Sequence, residues 1–337
     1  MNNLIACLVR IGVNLVSHTR FSYVDEIFDA KGGGTVTRWI LLLPGTGCAW
    51  ARRSGGCYMC GFKAKIEQVQ RGKPSSHKRL MKIFRLGRLV VANNSPGNLT
   101  IYNAGSFLNE EEIPLETQLE ICRQVSKHPT IERLVIESRP EFVTADKIKS
   151  LVSILGKKTL EVGIGLECAS DEIRARCIHK GFLRKDYEKA AEILKRNGAK
   201  LLTYVFLKPI YLTEREAIEE AIATLEYAFR AGSDEAALES AFIQKGTKME
   251  ILYSRGEYRP PWLWSIIEVV KKAYHFGPIR IGGFEDEPPP TDIPHNCPKC
   301  SSLIMNLFGE YKKTRDIRLF DGLECECKQI WRQELSK

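Results

Sequence analysis

The sequence predicts an α/β protein, a partial or complete (β/α) barrel with a small C-terminal metal-binding ribbon. Three observations carry that expectation. Short β-branched or apolar runs alternate with longer amphipathic stretches through the middle of the chain. Three cysteines, Cys48, Cys57 and Cys60, follow directly on the first of these runs. Four more, Cys297, Cys300, Cys325 and Cys327, cluster after residue 290.

Residues 1–35 are of mixed character and are expected to pack on the barrel as an extension supplying a strand or helix. Strands are expected at 38–43, 98–102, 132–137, 159–166, 200–207 and 235–242. Helices are expected at 76–87, 115–127, 144–155, 184–197 and 213–230, the last opening on the capping-box pattern Thr213-Glu214-Arg215-Glu216. Strands separated by helices run parallel, because the helix supplies the crossover. Such units wind into an open sheet or a barrel, and both place ligands at the carboxyl ends of the strands. Gly32-Gly33-Gly34 precedes the first of these strands, so no glycine fingerprint of a dinucleotide site joins a strand to a helix. After residue 245 the pattern breaks into shorter elements, and Glu287-Pro288-Pro289-Pro290 marks the expected boundary between a 36–290 barrel and a 291–337 cysteine-rich module.

With 337 residues, 44% of them hydrophobic, the chain can bury a large core. No run approaches the roughly 20 apolar residues of a membrane span, and no basic-then-apolar leader opens the sequence, so a cytoplasmic location without membrane contact is expected. Seven of the 11 cysteines fall into the two clusters, which favours metal ligation over a disulfide framework. Cys7, Cys122, Cys168 and Cys177 read as small buried side chains. The net charge of +9 suits a polyanion such as RNA and equally a soluble surface.

A 4Fe-4S cube held wholly by protein takes four thiolates, so Cys48, Cys57 and Cys60 alone leave one iron free for a small molecule. A zinc site is the alternative, although zinc wants a fourth ligand. At the second strand end, Asn103 and Ser106 offer acceptors and Gly105 allows close backbone approach to an ammonium, although these residues alone favour an ordinary turn with a serine cap. Glu137, Arg139 and Glu167 place charge at the ends of apolar strands, where they suit ribose hydroxyls, an ammonium or a carboxylate, or simply pair with one another. His179, Lys180 and Lys208 add positive charge that can reach the same rim or remain solvated. The four C-terminal cysteines match a closed zinc site, with an auxiliary iron–sulfur cluster as the rival. Basic stretches at Lys63-Ala64-Lys65, Arg71-Gly72-Lys73, His77-Lys78-Arg79 and Lys312-Lys313-Thr314-Arg315, interspersed with Phe62, Phe84 and Tyr311, suit phosphate tracking with base stacking.

Read together, Gly47-Cys48-Ala49-Trp50, Gly55-Gly56-Cys57-Tyr58-Met59-Cys60-Gly61, Tyr102-Asn103-Ala104-Gly105-Ser106-Phe107, Glu137-Ser138-Arg139-Pro140-Glu141 and Gly165-Leu166-Glu167 resemble the archaeal radical S-adenosylmethionine proteins of archaeosine formation, within the elongator-like branch of that superfamily. The eight residues between Cys48 and Cys57 depart from the superfamily's commonest spacing of three. The resemblance implies a radical SAM barrel that binds a 4Fe-4S cluster through Cys48, Cys57 and Cys60. It implies that S-adenosylmethionine lies against Asn103, Gly105, Ser106, Glu137, Arg139 and Glu167. The implied reaction breaks a carbon–nitrogen bond of a lysine-modified 7-deazaguanine at position 15 of tRNA, through a 5′-deoxyadenosyl radical. The implied partners are tRNA, an electron donor and the synthase that attaches the lysine. Two rivals remain: an elongator-like radical enzyme acting on another RNA base or small molecule, and a zinc-stabilised RNA-binding protein without catalysis.

Overall fold

The β-branched runs pair in sequence order, as parallel strands joined by outer helices do. A computed structural model describes residues 21–29, 32–61, 75–286 and 289–336. One eight-stranded sheet runs β1 to β8 in chain order: β1 (Ser22–Asp29), β2 (Gly34–Leu42), β3 (Asn98–Tyr102), β4 (Arg133–Glu137), β5 (Thr159–Glu167), β6 (Lys200–Leu207), β7 (Glu235–Ser240) and β8 (Ile279–Gly282). β1 is antiparallel to β2, and every later neighbour is parallel. All six expected strands are present. β1 falls within the 1–35 extension expected to supply a strand or helix and is a hairpin partner turning at Gly33, whereas β8, only four residues long, is an addition.

The helices are α1 (Ala49–Ser54), α2 (His77–Val90), α3 (Leu115–Ser126), α4 (Ala145–Leu155), α5 (Arg184–Arg196), α6 (Glu214–Arg230), α7 (Lys248–Ser254), α8 (Leu263–Ala273), α9 (Ser301–Thr314) and α10 (Cys327–Glu334). The capping box at α6 forms, with Thr213 Oγ1 accepting from the Glu216 N–H at 3.3 Å and Glu216 Oε2 accepting from the Thr213 N–H at 2.8 Å. Leu99, Ile101, Leu134, Ile136, Val162 and Ile164 turn outward beneath the helices and are fully buried. None of the described helices is long and apolar enough to cross a membrane.

Among the described residues no ladder joins β8 to β1, so the barrel is partial. The gap is bridged by α9. Its Tyr311 hydroxyl donates to the Ile279 carbonyl of β8 at 3.1 Å, while Lys312 and Lys313 reach Asp25 and Glu26 of β1 at 2.7 and 2.8 Å. Of the basic stretch, Lys312 and Lys313 stay about half exposed in their ion pairs with β1, while Arg315 is mostly buried against Glu235 at 2.9 Å. The expected ribbon is helical in scaffold. Ile304, Phe308 and Tyr311 recur at helical spacing and are buried, which makes the segment after Cys300 a packed helix instead of a hairpin.

The two ends of the lumen differ. Toward the amino ends of the strands, Arg133 meets Glu161 and Asp29, each at 3.1 Å, and Arg280 meets Glu161 at 3.5 Å and Glu235. This linked ionic set plugs the bottom. Each charge in it has a partner, without which its burial would be costly. The carboxyl ends of the strands, where Glu137, Glu167 and Lys208 lie, carry the cluster loop.

Candidate active site

Cys48 leaves β2 through a short loop and immediately precedes α1, a single helical stretch of six residues. Gly55 and Gly56 then take φ of 83° and 85°, a left-handed pair that glycine adopts without strain, and turn the chain back to Cys57. Cys57 to Cys60 is a tight turn, with the Cys60 N–H donating to the Cys57 carbonyl at 3.1 Å. The loop is pinned at both sides: the Tyr58 N–H donates to the Ile178 carbonyl at 2.9 Å and the Gly61 N–H to Gln244 Oε1 at 2.6 Å. Cys57 and Cys60 line a cleft of about 360 Å³ with His179, Lys245 and Lys248 on its rim.

His179, expected only as a rim charge, is a packing hub. Its ring stacks on Tyr58 at 5.1 Å, its Nδ1 lies 2.8 Å from the Gly56 carbonyl, and its own carbonyl accepts from Trp50 Nε1 at 2.8 Å. Gly181 follows with φ 73°, and a Cβ there would sit 2.2 Å from the Trp50 ring. The long spacer between Cys48 and Cys57 thus carries the tryptophan that docks the loop on the segment after β5. Lys248 lies over the Tyr58 ring at 4.0 Å and over the half-exposed Tyr211 at 5.3 Å, giving the rim a basic and aromatic face.

At the end of β3, Asn103 is 1% exposed, and neither its amide nitrogen nor its amide oxygen has a partner. Such a group costs free energy unless a ligand satisfies it. Gly105 is covered: a Cβ there would be 1.9 Å from Glu112 Oε2 and 3.2 Å from the Cys48 Cα. Ser106 is fully buried, its Oγ accepting the Arg139 N–H at 3.1 Å.

Arg139 donates from Nε to Glu141 at 2.6 Å and from Nη1 to the Lys180 carbonyl at 2.8 Å, leaving its buried Nη2 unpartnered. Its guanidinium lies between the Trp50 and Phe182 rings, 5.2 and 5.4 Å from their centroids. Glu167 occupies a positive φ of 65° at a register shift between β5 and β6, and pairs with Lys180 at 2.5 Å. Gly165 makes that pair possible, since a Cβ there would stand 2.5 Å from Lys180 Nζ. Burial pushes the Cys57 thiol up, with Lys180 and Arg139 opposing the shift and Glu167 adding to it.

Burial also pushes Glu137 up to about 7, against the opposing hydrogen bond from Tyr204. Burial does the same to Glu239 on β7, also to about 7, with the Glu167 charge adding to it. Lys208 does not reach the rim as a free charge. It pairs with Glu214 at 2.5 Å, both side chains almost wholly buried.

Sequence reasoning missed three groups here. Glu112 accepts from the Ala49 N–H at 2.9 Å, the Ser106 N–H at 2.5 Å and Asn109 Nδ2 at 3.0 Å, so one buried carboxylate ties the start of α1 to the β3 exit. Gln244 holds the far end of the loop. Glu239 faces the lumen from a strand whose expected content was apolar. Glu112 is the last of three consecutive glutamates in Asn109-Glu110-Glu111-Glu112-Ile113, and nothing in the sequence distinguishes it from the other two. Phe62 and the basic stretches at 63–65 and 71–73, like Cys7, lie outside the described residues. Cys122, Cys168 and Cys177 are buried, as expected of small apolar side chains.

Among the described residues, one set of metal-ligating side chains brings all its donor atoms within 4.8 Å of one another: Cys297, Cys300, Cys325 and Cys327. It lies apart from the cluster loop, in the module built on α9 and α10.

A partial β/α barrel with a three-thiol loop at the carboxyl end of its first parallel strand is a fold of the radical S-adenosylmethionine type. No family model matches the chain. It is 33% identical over 316 residues to the archaeosine synthase subunit beta of Methanosarcina acetivorans, covering 91% of this chain and 87% of that one. It is 32% identical to the subunit of the same name from Thermococcus kodakarensis, covering 90% and 93%. The chain belongs to the archaeosine synthase subunit beta family. Among solved structures, that of the archaeal Methanocaldococcus infernus Elp3 with an N-terminal deletion is similar at a TM-score of 0.46 and 17% identity; the match covers 83% of this chain and 65% of that one.

Proposed function

We propose that the protein is a radical S-adenosylmethionine enzyme of tRNA modification, which breaks the carbon–nitrogen bond of a lysine-modified 7-deazaguanine and leaves archaeosine. The observation that carries this reading is the cluster loop itself, whose Cys57 and Cys60 line the cleft, beside strand ends where the buried Asn103 amide and Arg139 Nη2 lack partners. Cys48, Cys57 and Cys60 would hold a 4Fe-4S cluster, and the donor set fits: three free cysteines on one loop leave one iron open to a small molecule. When bound with S-adenosylmethionine and reduced by an electron donor, that group supplies a carbon radical able to take hydrogen from an unactivated position.

The chain's own residues do the positioning. Asn103 and Arg139 suit the amino and carboxylate groups of the cofactor's amino-acid end, with Gly105, Ser106 and Glu167 shaping the wall around them. Glu137 can hold a proton near neutrality, with Tyr204 donating to it. The ionic set at the amino ends of the strands fills the lumen below these residues. Lys248, Tyr211 and Tyr58 offer a charge and two rings where a nucleotide would enter, which suits tRNA as the partner. The relatives' name, a synthase subunit, supports a complex with the enzyme that attaches the lysine.

The test is anaerobic reconstitution followed by incubation with lysine-modified tRNA, S-adenosylmethionine and dithionite. Loss of the lysine adduct with formation of archaeosine is the expected result, together with about four irons at the loop that disappear in the Cys48→Ala, Cys57→Ala, Cys60→Ala triple variant. Cofactor cleavage without loss of the adduct would move the assignment to an elongator-like enzyme of different substrate. A colourless protein with zinc in both clusters would overturn the enzyme reading.

A further inference from the structure

The four C-terminal thiols are spaced for one ion and not for a cube of four. Cys297 Sγ lies 3.7 Å from Cys300 Sγ and 3.5 Å from Cys325 Sγ, and Cys300 Sγ lies 3.6 Å from Cys327 Sγ. All pairs fall within 4.8 Å. A tetrahedral ion with metal–sulfur bonds of about 2.3 Å sets its four sulfurs about 3.8 Å apart. A 4Fe-4S cube pushes each thiolate outward from its own iron, to separations of roughly 6 to 7 Å. The observed edges match the first geometry and miss the second by nearly a factor of two.

We infer that Cys297, Cys300, Cys325 and Cys327 hold a single zinc ion whose role is to fasten the C-terminal helices over the open seam of the barrel. Four thiolates complete a tetrahedron and leave no position for a substrate, as in structural zinc sites. Two neighbouring groups already point at the sulfurs: Trp264 Nε1 donates to Cys327 Sγ at 3.3 Å, and Asn296 Nδ2 to Cys300 Sγ at 3.6 Å. Such outer donors orient thiolate ligands and disperse their charge. Zinc is chosen over a lone ferrous ion because the same thiolates bind it more tightly.

The mechanical consequence follows from where the ligands sit. Cys300 caps α9 and Cys327 opens α10, so the ion ties the two helix starts across the 24 residues between Cys300 and Cys325. From there, α9 bridges β8 to β1. α10 presses onto α8, with Trp331 Nε1 donating to Ser265 Oγ at 2.9 Å and Trp262 Nε1 donating to Glu334 at 2.8 Å. Because the loop cluster and the zinc site occupy separate parts of the fold, this inference stands whether or not the proposed reaction is right.

Metal analysis of the anaerobically purified full chain decides it. One zinc per chain is expected in the wild type, and the same zinc in the Cys48→Ala, Cys57→Ala, Cys60→Ala variant after its iron is lost. X-ray absorption at the zinc edge should show four sulfurs at about 2.3 Å and no metal–metal neighbour. Cys325→Ser should lower zinc occupancy and speed proteolysis after residue 290, while leaving the loop's iron content unchanged in whatever fraction folds. Should Cys325→Ser yield no folded protein, the stoichiometry and absorption spectrum of the triple-alanine variant still decide. Four irons, a single iron, or no metal at all remaining in that variant would overturn the inference.

Discussion

Glu112 is the side chain on which the cluster loop depends most, and truncating it should be costly. In Glu112→Ala, the Ala49 N–H, the Ser106 N–H and the Asn109 amide lose their acceptor together, around a side chain that itself has no exposure to water. A buried donor left without a partner costs about 1–3 kcal/mol, and at about 1.5 kcal/mol each the three sum to roughly 4 to 5 kcal/mol. Part of this is offset, because burial disfavours the Glu112 charge, whose pKa is raised in spite of its hydrogen bonds. A net loss of about 3 kcal/mol corresponds, in a chain of this length, to a melting point lower by roughly 5 °C. Glu112→Gln keeps the volume but turns one oxygen into a donor facing an N–H, so it should lose at least one of the three bonds and fall between wild type and alanine. The assay is thermal unfolding by circular dichroism on anaerobically prepared protein, with iron per chain measured in parallel. Because Glu112 anchors α1, iron loading should fall in the same order. A Glu112→Ala protein that melts within about 1 °C of wild type and loads iron equally would refute the reasoning.

Gly181→Ala and Gly198→Ala form a matched pair: both glycines have φ 73°, but a Cβ at 181 meets the Trp50 ring at 2.2 Å whereas nothing lies within 4 Å of one at 198. Unfolding in denaturant should show a loss of about 1 kcal/mol at 198, for left-handed backbone alone, and a clearly larger one at 181 with altered tryptophan fluorescence; equal losses would mean Trp50 is not packed as described. Glu137 and Glu239 hold protons up to about 7 when folded, against an ordinary value of 4.5, so between those limits the native state binds more protons than the unfolded chain. Their contribution to stability is therefore present at low pH and lost as pH rises toward 7. The Glu239 charge acts on Glu137, so the two titrate as a pair. Subtracting the stability–pH profile of a Glu137→Gln, Glu239→Gln double variant from that of wild type should leave a difference that falls between pH 5 and 7.5; a flat or rising difference would contradict the buried placement.

The barrel was legible in the sequence because its parallel strands are buried on both faces and bounded by helices, so each reads as a near-continuous apolar run between amphipathic stretches. β8 was not: four residues carry too little pattern, and Arg280 within it looks polar until Glu161 and Glu235 are found across the lumen. β1 reads as mixed for a related reason, since Asp25, Glu26 and Asp29 face Arg38, Lys313 and Arg133, partners 13 to more than 280 residues away. The three loop cysteines and the strand-end charges were visible because they interrupt apolar runs. Glu112, Gln244 and the packing role of His179 were not, because a residue's value as an anchor lies in which distant N–H or ring it meets.

The order of the strands, the two thiol clusters and the rim charges are written locally, in period, spacing and residue type, and the sequence alone determined them. Tertiary structure decided how those parts are used. Among the described residues it bridged β8 to β1 with a helix, engaged Lys312, Lys313 and Arg315 in ion pairs, and paired Lys208 with Glu214 and Lys180 with Glu167. It also drew Cys297, Cys300, Cys325 and Cys327 to the separations of a single tetrahedral ion. Distances between residues far apart in the chain depend on the packing of everything between them, and spacing along a sequence cannot encode them.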